Sequence, residues 1–413
     1  MNLSNQINQL NQPLTLKNGQ IIKNRLFKGA MSEQITKGNR PDLAYANLYR
    51  TWAKGGAGVL VTGNVMVDYT ALGSADDVVI EDERDLDLLT AWAVAGREND
   101  TLFLMQINHP GKQSPKDLSP TPVAPSAVGL GGAMAKFFNP PRELSEDEIL
   151  NLIHRFGQAA KIAQKAGFSG VQIHAAHGYL ISQFLSPIHN VRTDQWGGSL
   201  QNRMRFLLAV YHEMRRQTSA DFVIAVKLNS ADFQKGGFSE SESVQVVEQL
   251  VKEGIDMVEI SGGNYESPAM LDGIKQSTQK REAYFLDYAK KVRSVCTVPL
   301  VITGGFRSTQ AMAAALASGD LDMVGLAKPF AIMPDLPNRI FAGTYQTVHT
   351  PQPRLGIAKL DRLVGSMVEM NWYMYQMQRI SQDKTPKPNK SAWAIFGRML
   401  ISQGKGAFGR ERA

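Results

Sequence analysis

One cysteine, Cys296, occurs in 413 residues. That excludes a disulfide within the chain and any iron–sulfur cluster held by cysteines. No apolar run reaches the roughly 18 residues needed to cross a bilayer. The leading stretch, MNLSNQINQLNQPL, lacks the basic and apolar segments of a secretory signal, so a cytoplasmic protein is expected. A G-x-G-x-x-G turn is also missing after the first candidate strand, where Lys28-Gly29-Ala30-Met31-Ser32 stands instead. Its absence argues against a doubly wound dinucleotide-binding sheet. Net charge is concentrated in the tail: of the net +7, seven basic residues against the single Glu411 lie in residues 384–413. The remainder is near neutral, and nucleic acid is not an expected partner.

What is present is an alternation. Candidate strands at 24–30, 58–64, 101–107, 170–174, 222–228, 257–260, 299–303 and 323–326 are separated by stretches of helical periodicity. Strictly alternating strands and helices build a parallel sheet, and roughly eight units in about 330 residues build a closed (β/α)8 TIM barrel, here over residues 1–342. A hairpin at Thr15–Ile22, turned at Asn18-Gly19, precedes it. From Asn108 to Pro141 both periodicities vanish among glycines and prolines, which predicts a lid over 108–141. Ser145 and Glu148 then predict a capping box opening a helix to Ala166. Residues 343–413 form a helical, basic C-terminal extension. Leu360, Leu363, Val364, Met367, Met370, Tyr373, Met374 and Met377 recur at helical spacing as a packing face, and Trp393, Phe396 and Leu400 mark a second amphipathic helix. The extension is expected to pack on the barrel, join a homo-oligomer, or touch a membrane surface or anionic partner, in that order.

Catalytic groups of such barrels sit at the C-terminal strand ends. The richest end is His174-Ala175-Ala176-His177-Gly178-Tyr179, two imidazoles and a phenol where a polarised acceptor could gain a hydride and a proton. Buried, satisfied core histidines are the plainer alternative. A zinc site needs three or four ligands, and neither a cysteine nor a nearby carboxylate completes the pair, so no metal is expected. Gly304-Gly305 and Ala327-Lys328, after the seventh and eighth strands, stand where barrels bind phosphate. Small residues let backbone N–H groups approach the anion and a lysine adds charge. Lys227 ends an otherwise apolar strand, so it must face an anion or a barrel carboxylate. Gln106, at another apolar strand's end, can both donate and accept.

The stretch from His174 onward, with Gln183-Phe184-Leu185-Ser186-Pro187 and Asn190-Val191-Arg192-Thr193-Asp194-Gln195-Trp196-Gly197-Gly198-Ser199 running on to Asn202-Arg203 and Arg205-Phe206, resembles the Old Yellow Enzyme family, the NADH:flavin oxidoreductases. The resemblance covers about residues 14–342 and implies a TIM barrel that binds flavin mononucleotide (FMN) and uses NADH or NADPH. It implies an ene-reductase that reduces an electron-poor alkene, an α,β-unsaturated carbonyl or nitro compound. His174 and His177 would bind the activating oxygen, and Tyr179 would protonate the α-carbon. Gln106 would meet the flavin pyrimidine edge, and Lys227 would stand where the family usually carries Arg. Ala30, Met31 and Ser32 would pass beneath the ring, Asn64 would be a further contact, and Gly304, Gly305, Ala327 and Lys328 would hold the phosphate. Arg192, Asp194, Asn202 and Arg203 read as structural links. Glu33-Gln34 and Asn108 depart from the family's aromatic positions, which suggests a roomier or more polar pocket. The same scaffold serves oxidative demethylases and dienoyl-CoA reductases, and a catalytically lapsed barrel with the tail as an interaction module is the alternative outside enzymes.

Overall fold

The computed structural model describes residues 2–35, 38–262, 286–345, 347 and 349–407, the side chains of 133, 134 and 402–407 excepted. Eight parallel strands form a ring: β1 (Leu26–Lys28), β2 (Val59–Val61), β3 (Leu102–Asn108), β4 (Gly170–Ala175), β5 (Val223–Asn229), β6 (Met257–Ser261), β7 (Leu300–Thr303) and β8 (Met323–Leu326). Each pairs with its successor, and β8 pairs with β1 to close the barrel. Parallel neighbours need long crossovers, which the helices supply. The crossovers carry α2 (Leu43–Lys54), α3 (Leu86–Gly96), α4 (Glu146–Lys165), α5 (Leu180–Leu185), α6 (Leu200–Gln217), α7 (Glu240–Glu253), α8 (Leu286–Arg293) and α9 (Thr309–Ala317); α1 (Leu3–Leu10) precedes the barrel, α10 (Lys328–Ile332) and α11 (Leu336–Phe341) follow β8, and α12 (Ala358–Ile380) and α13 (Ala392–Ala407) form the tail.

Local chemistry sets several of the helix starts. Ser145 accepts from the Glu148 N–H while the Glu148 carboxylate accepts from the Ser145 N–H, the capping box expected. Ser239 and Glu242 repeat the device on α7, and Ser199 and Ser308 cap α6 and α9. The structural links also form: Arg192 donates to Asp194 at 3.0 Å and to Leu144 O at 2.7 Å, and Arg203 pairs with Glu242 at 2.5 Å. Helical periodicity in the sequence runs from Glu282 to Val295; residues 282–285 lie outside those described, and α8 covers Leu286–Arg293.

Two-residue alternation sends successive side chains to opposite faces of each strand. One set faces the helices: Phe103, Met105, Ile107, Ile173, Val226, Ile260 and their neighbours. The other set fills the barrel and changes character along its axis. At the N-terminal end Phe27, Val59, Val61, Leu102, Leu104, Val223, Ala225, Met257, Val301 and Met323 form one apolar cluster, to which the hairpin of Leu14–Thr15 and Ile21–Ile22 contributes Leu16 and Ile22. One step further along the same faces stand Gln106, Gln172, His174, Lys227, Asn229 and Glu259, all buried.

The 108–141 connection carries more structure than its composition predicts. It contains two short 3-10 turns, Gly111–Gln113 and Gly132–Phe137, and Val123–Ala124 pairs with Arg142–Glu143. Lys112 Nζ lies 2.9 Å from His189 Nδ1 and donates to Gly129 O at 3.2 Å, tying this connection to the segment after α5.

The tail packs on the barrel, the first of the expected uses. Trp372, Tyr373, Met374, Met377 and Ile380 of α12 join the main core, against α2 and α10. The apolar stripe read from the sequence is only partly right. Leu363 and Met370 are exposed, whereas Trp372 and Gln376 are buried. Among the residues of α13 whose side chains are described, Ala392, Ile395 and Met399 are buried, whereas Trp393 and Leu400 are exposed. Both faces of that helix carry large apolar residues, so periodicity could not choose between them. Trp393 Nε1 donates to Leu355 O at 2.9 Å, and Trp372 Nε1 to Lys390 O at 2.8 Å. Among the described residues no helix is long and apolar enough to cross a membrane.

Candidate active site

The polar end of the barrel gathers the residues singled out in the sequence. His174 is the last inward residue of β4, and the chain then turns sharply. His177 takes φ 61° and Gly178 φ 76°, left-handed conformations that an L side chain seldom adopts. A non-glycine residue held there marks a position over-determined by its surroundings. His177 N–H donates to Asn229 Oδ1 at 3.1 Å, and its Nε2 lies 2.7 Å from Ser261 Oγ. The turn brings three rings together: His174 is 5.2 Å from His177 and 4.8 Å from Tyr179, centroid to centroid and edge-on in both cases.

Burial, then the neighbouring His177 and Lys227, hold His174 well below the ordinary imidazole range; burial and Lys227 do the same to His177. Both imidazoles are therefore neutral. His174 Nδ1 accepts from the Ala176 N–H at 3.3 Å, which assigns the ring proton to Nε2. Tyr179 is buried, and Asn64 Nδ2 donates to its hydroxyl at 3.3 Å. Asn64 thus stands beside the phenol, where a donor stabilises any negative charge left on that oxygen.

Beneath lies a chain of amides and charges. Gln106 Nε2 donates to Gln172 Oε1 at 2.7 Å, and Gln172 Nε2 donates to Glu259 Oε2 at 2.7 Å. Lys227 Nζ is 3.3 Å from Glu259 Oε1. The anion facing Lys227 within the protein is thus Glu259. Neither Gln172 nor Glu259 was singled out from the sequence. The signal was available, since both share the inward parity of His174 and Lys227 and interrupt apolar strands.

The segment Ala30-Met31-Ser32 leaves β1 and is secured from outside the barrel. Lys28 is fully buried against α2, donating to Val61 O at 2.9 Å and lying 4.2 Å from the centre of the Trp52 ring. Burial lowers its pKa to about 8, against the opposing pull of Glu33. Glu33 accepts from the Tyr49 hydroxyl and, at 2.9 Å, from the Gly63 N–H. A Cβ on Gly63 would stand 2.4 Å from Met31 O, so only glycine lets β2 come this close. Glu33 is therefore a buried anchor of this segment, and the polar pocket wall expected from Glu33 is not formed by it.

At the other side of the mouth, Gly304 and Gly305 follow β7 with φ 118° and 83°. The Gly304 N–H donates to Gly325 O at 3.4 Å, so what the pair offers an anion is an approach to the backbone that no side chain obstructs. Ala327 precedes α10 and is half-buried. Lys328 departs from expectation: it is exposed, and its Nζ pairs with Glu369 of α12 at 2.5 Å. That carboxylate also pairs with Arg354 at 2.8 Å, so the lysine expected at a phosphate braces the tail.

The residues present fit FMN. Both side-chain atoms of Asn108 and the Thr303 hydroxyl are buried without a hydrogen-bond partner among the described residues, at strand ends that face the mouth. Such groups call for a polar occupant. The amides of Gln106 and Gln172, the glycine pair and the small residues of 30–32 suit a flat ring with a polar edge and a phosphate.

Fold and site together define a flavin-type barrel whose polar mouth carries two histidines and a tyrosine. Residues 9–347 match the NADH:flavin oxidoreductase / NADH oxidase family, and the chain belongs to that family, the Old Yellow Enzyme group. Two NADH-dependent flavin oxidoreductases named iliE are similar. The one from Hypocrea jecorina is 39% identical over 79% of this chain and 88% of its own length. The one from a Neonectria species is 37% identical over 89% of this chain, which spans only 51% of that longer protein. The solved Old Yellow Enzyme homologue from Zymomonas mobilis superimposes with a TM-score of 0.69 at 26% identity, over 82% of this chain and 94% of that one. The family works with FMN and with NADH or NADPH.

Proposed function

We propose that this protein takes hydride from NADH or NADPH and reduces the activated C=C bond of an α,β-unsaturated carbonyl or nitro compound. Bound FMN, in the groove bounded by Ala30–Ser32, Gln106, Lys227 and Gly304-Gly305, supplies the capacity to accept and deliver hydride. The observation that carries the reading is the gathering of the His177 and Tyr179 rings within 5.2 Å of the His174 ring, with both imidazoles held neutral.

A neutral imidazole donates a hydrogen bond without contributing a buried charge. His174 presents Nε2–H to the substrate's carbonyl or nitro oxygen. Charge that develops on that oxygen as the alkene is reduced strengthens the bond, which favours the transition state over the ground state. His177, clamped by Asn229 and Ser261, fixes the second side of the same oxygen site. Tyr179 gives its phenolic proton to the α-carbon, and Asn64 steadies the oxygen that loses it. The turn at His177-Gly178 is what sets the two donor types side by side.

The test is an anaerobic spectrum of the purified protein, followed by NADH or NADPH and then cyclohexenone. The expected result is a flavin band that bleaches and recovers with the enone. Bleaching without recovery would remove alkene reduction and leave the flavin assignment standing. A protein that takes up no FMN would remove both.

A further inference from the structure

Glu259 is unusual for a carboxylate. It is fully buried on the inner face of β6, in the strand Met257–Ser261 that is otherwise apolar up to Ser261. Burying a carboxylate is costly unless it is paired and hydrogen-bonded. Its Oε2 is satisfied by Gln172, but Oε1 has only the 3.3 Å approach of Lys227 and no hydrogen bond among the described residues. Oε1 also lies 3.4 Å from where a Cβ would stand on Gly29, so the carboxylate abuts the backbone that leads into Ala30–Ser32.

Two consequences follow from its position. A carboxylate only accepts, so Gln172 must donate to it, and Gln172 Oε1 must then accept from Gln106. The direction of both amides is dictated by the charge at the end of the relay. Gln106 is thereby held with one N–H committed to Gln172 and its carbonyl oxygen turned away from it. The second consequence concerns charge. Lys227 and Glu259 form a pair of zero net charge, with side chains 6% and 0% exposed. A lone cation at that place would favour an electron-rich ring, whereas a neutralised one favours it far less.

We propose that Glu259 is a positioning residue that sets the reduction potential of the bound flavin. It acts through Lys227, whose charge it offsets, and through Gln106, whose amide it orients by way of Gln172. The proposal rests on the flavin reading above. Glu259 touches neither substrate nor, by this account, the reacting atoms.

The test is a redox titration of FMN-loaded wild type, Glu259→Gln and Lys227→Gln, with FMN dissociation measured on each apoprotein by fluorescence. Glu259→Gln removes the charge and keeps the shape. Its midpoint potential should move positive by at least a tenfold gain in the equilibrium constant for two-electron reduction, about 30 mV. Lys227→Gln should move it negative and weaken FMN binding. Flavin-loaded Glu259→Gln with an unchanged potential would overturn the proposal, and so would equal shifts of one sign in both variants. Should Glu259→Gln fail to fold, Glu259→Asp draws the carboxylate back from Lys227 and should give a smaller positive shift; an unchanged potential there overturns the proposal equally. A wild type that binds no FMN would instead overturn the flavin reading itself.

Discussion

The two ends of one barrel follow opposite rules. On β5, Val223 and Ala225 face inward at the N-terminal end and join the apolar cluster, while Lys227 and Asn229 face inward at the other. The lower end is closed by side chains that want only burial. The upper end buries Gln106, Gln172, His174, Lys227, Asn229 and Glu259 within the same walls. Buried polar groups are expensive unless partnered, and at this end the Asn108 amide and the Thr303 hydroxyl have no hydrogen-bond partner among the described residues. Stability is thus supplied by one end and function by the other, four residues apart on a strand.

That contrast can be broken from either side. The largest expected effect is at the upper end. Tyr179→Phe should slow alkene reduction by roughly 10²–10⁴-fold, the usual worth of a positioned general acid, and leave flavin reduction by the nicotinamide almost unchanged. Single-turnover stopped-flow on the two half-reactions decides it; equal losses in both would remove the proton-donor role. At the lower end, Leu104→Ala should destabilise the fold by about 2–5 kcal/mol through the cavity it leaves. Its loaded enzyme should keep the wild-type half-reactions at a temperature where it is folded. Denaturant unfolding measures the first, and a changed flavin potential would show that the ends are not independent.

A smaller effect is expected at the join between Asn64 and Tyr179. Asn64→Ala removes one hydrogen bond, worth about 1 kcal/mol, so the alkene half-reaction should slow about fivefold with flavin reduction unaffected. The smallest effect is a null one in pH. His174 and His177 are held below their ordinary range, so lowering the pH through about 6.5, where a free imidazole gains its proton, charges neither. The oxidative half-reaction should show no step there. A limb near that pH, absent in the His174→Asn and His177→Asn variants, would place a charged imidazole in the reaction.

The register of these two regions was unequally legible. Strand and helix order, the capping box at Ser145, the hairpin at Asn18-Gly19 and the turn carrying His174, His177 and Tyr179 are local in sequence, and each rests on chemistry within a few residues. The relay Gln106–Gln172–Glu259 joins three strands and was not legible, because no local pattern says which strand faces which across a barrel. Lys328 and Glu33 show the same limit. Each is a charged residue beside a motif, and each is claimed by a partner distant in sequence: Lys328 by Glu369 on α12, and Glu33 by Tyr49 on α2. The exposed Trp393 and buried Ile395 on α13 show it for apolar residues.

The sequence by itself determined the alternation of strands and helices, and with it a closed parallel barrel, because a period of two or of 3.6 acts through neighbours along the chain. It also determined which residue types crowd the end of β4. Only the tertiary structure decided that Lys227 answers to Glu259, that Lys328 serves the tail, and that both imidazoles are neutral. The reason is physical: the protonation and pairing of a buried group are set by what surrounds it in space, and in a barrel those surroundings come from other strands, as Glu259 on β6 does for Lys227 on β5.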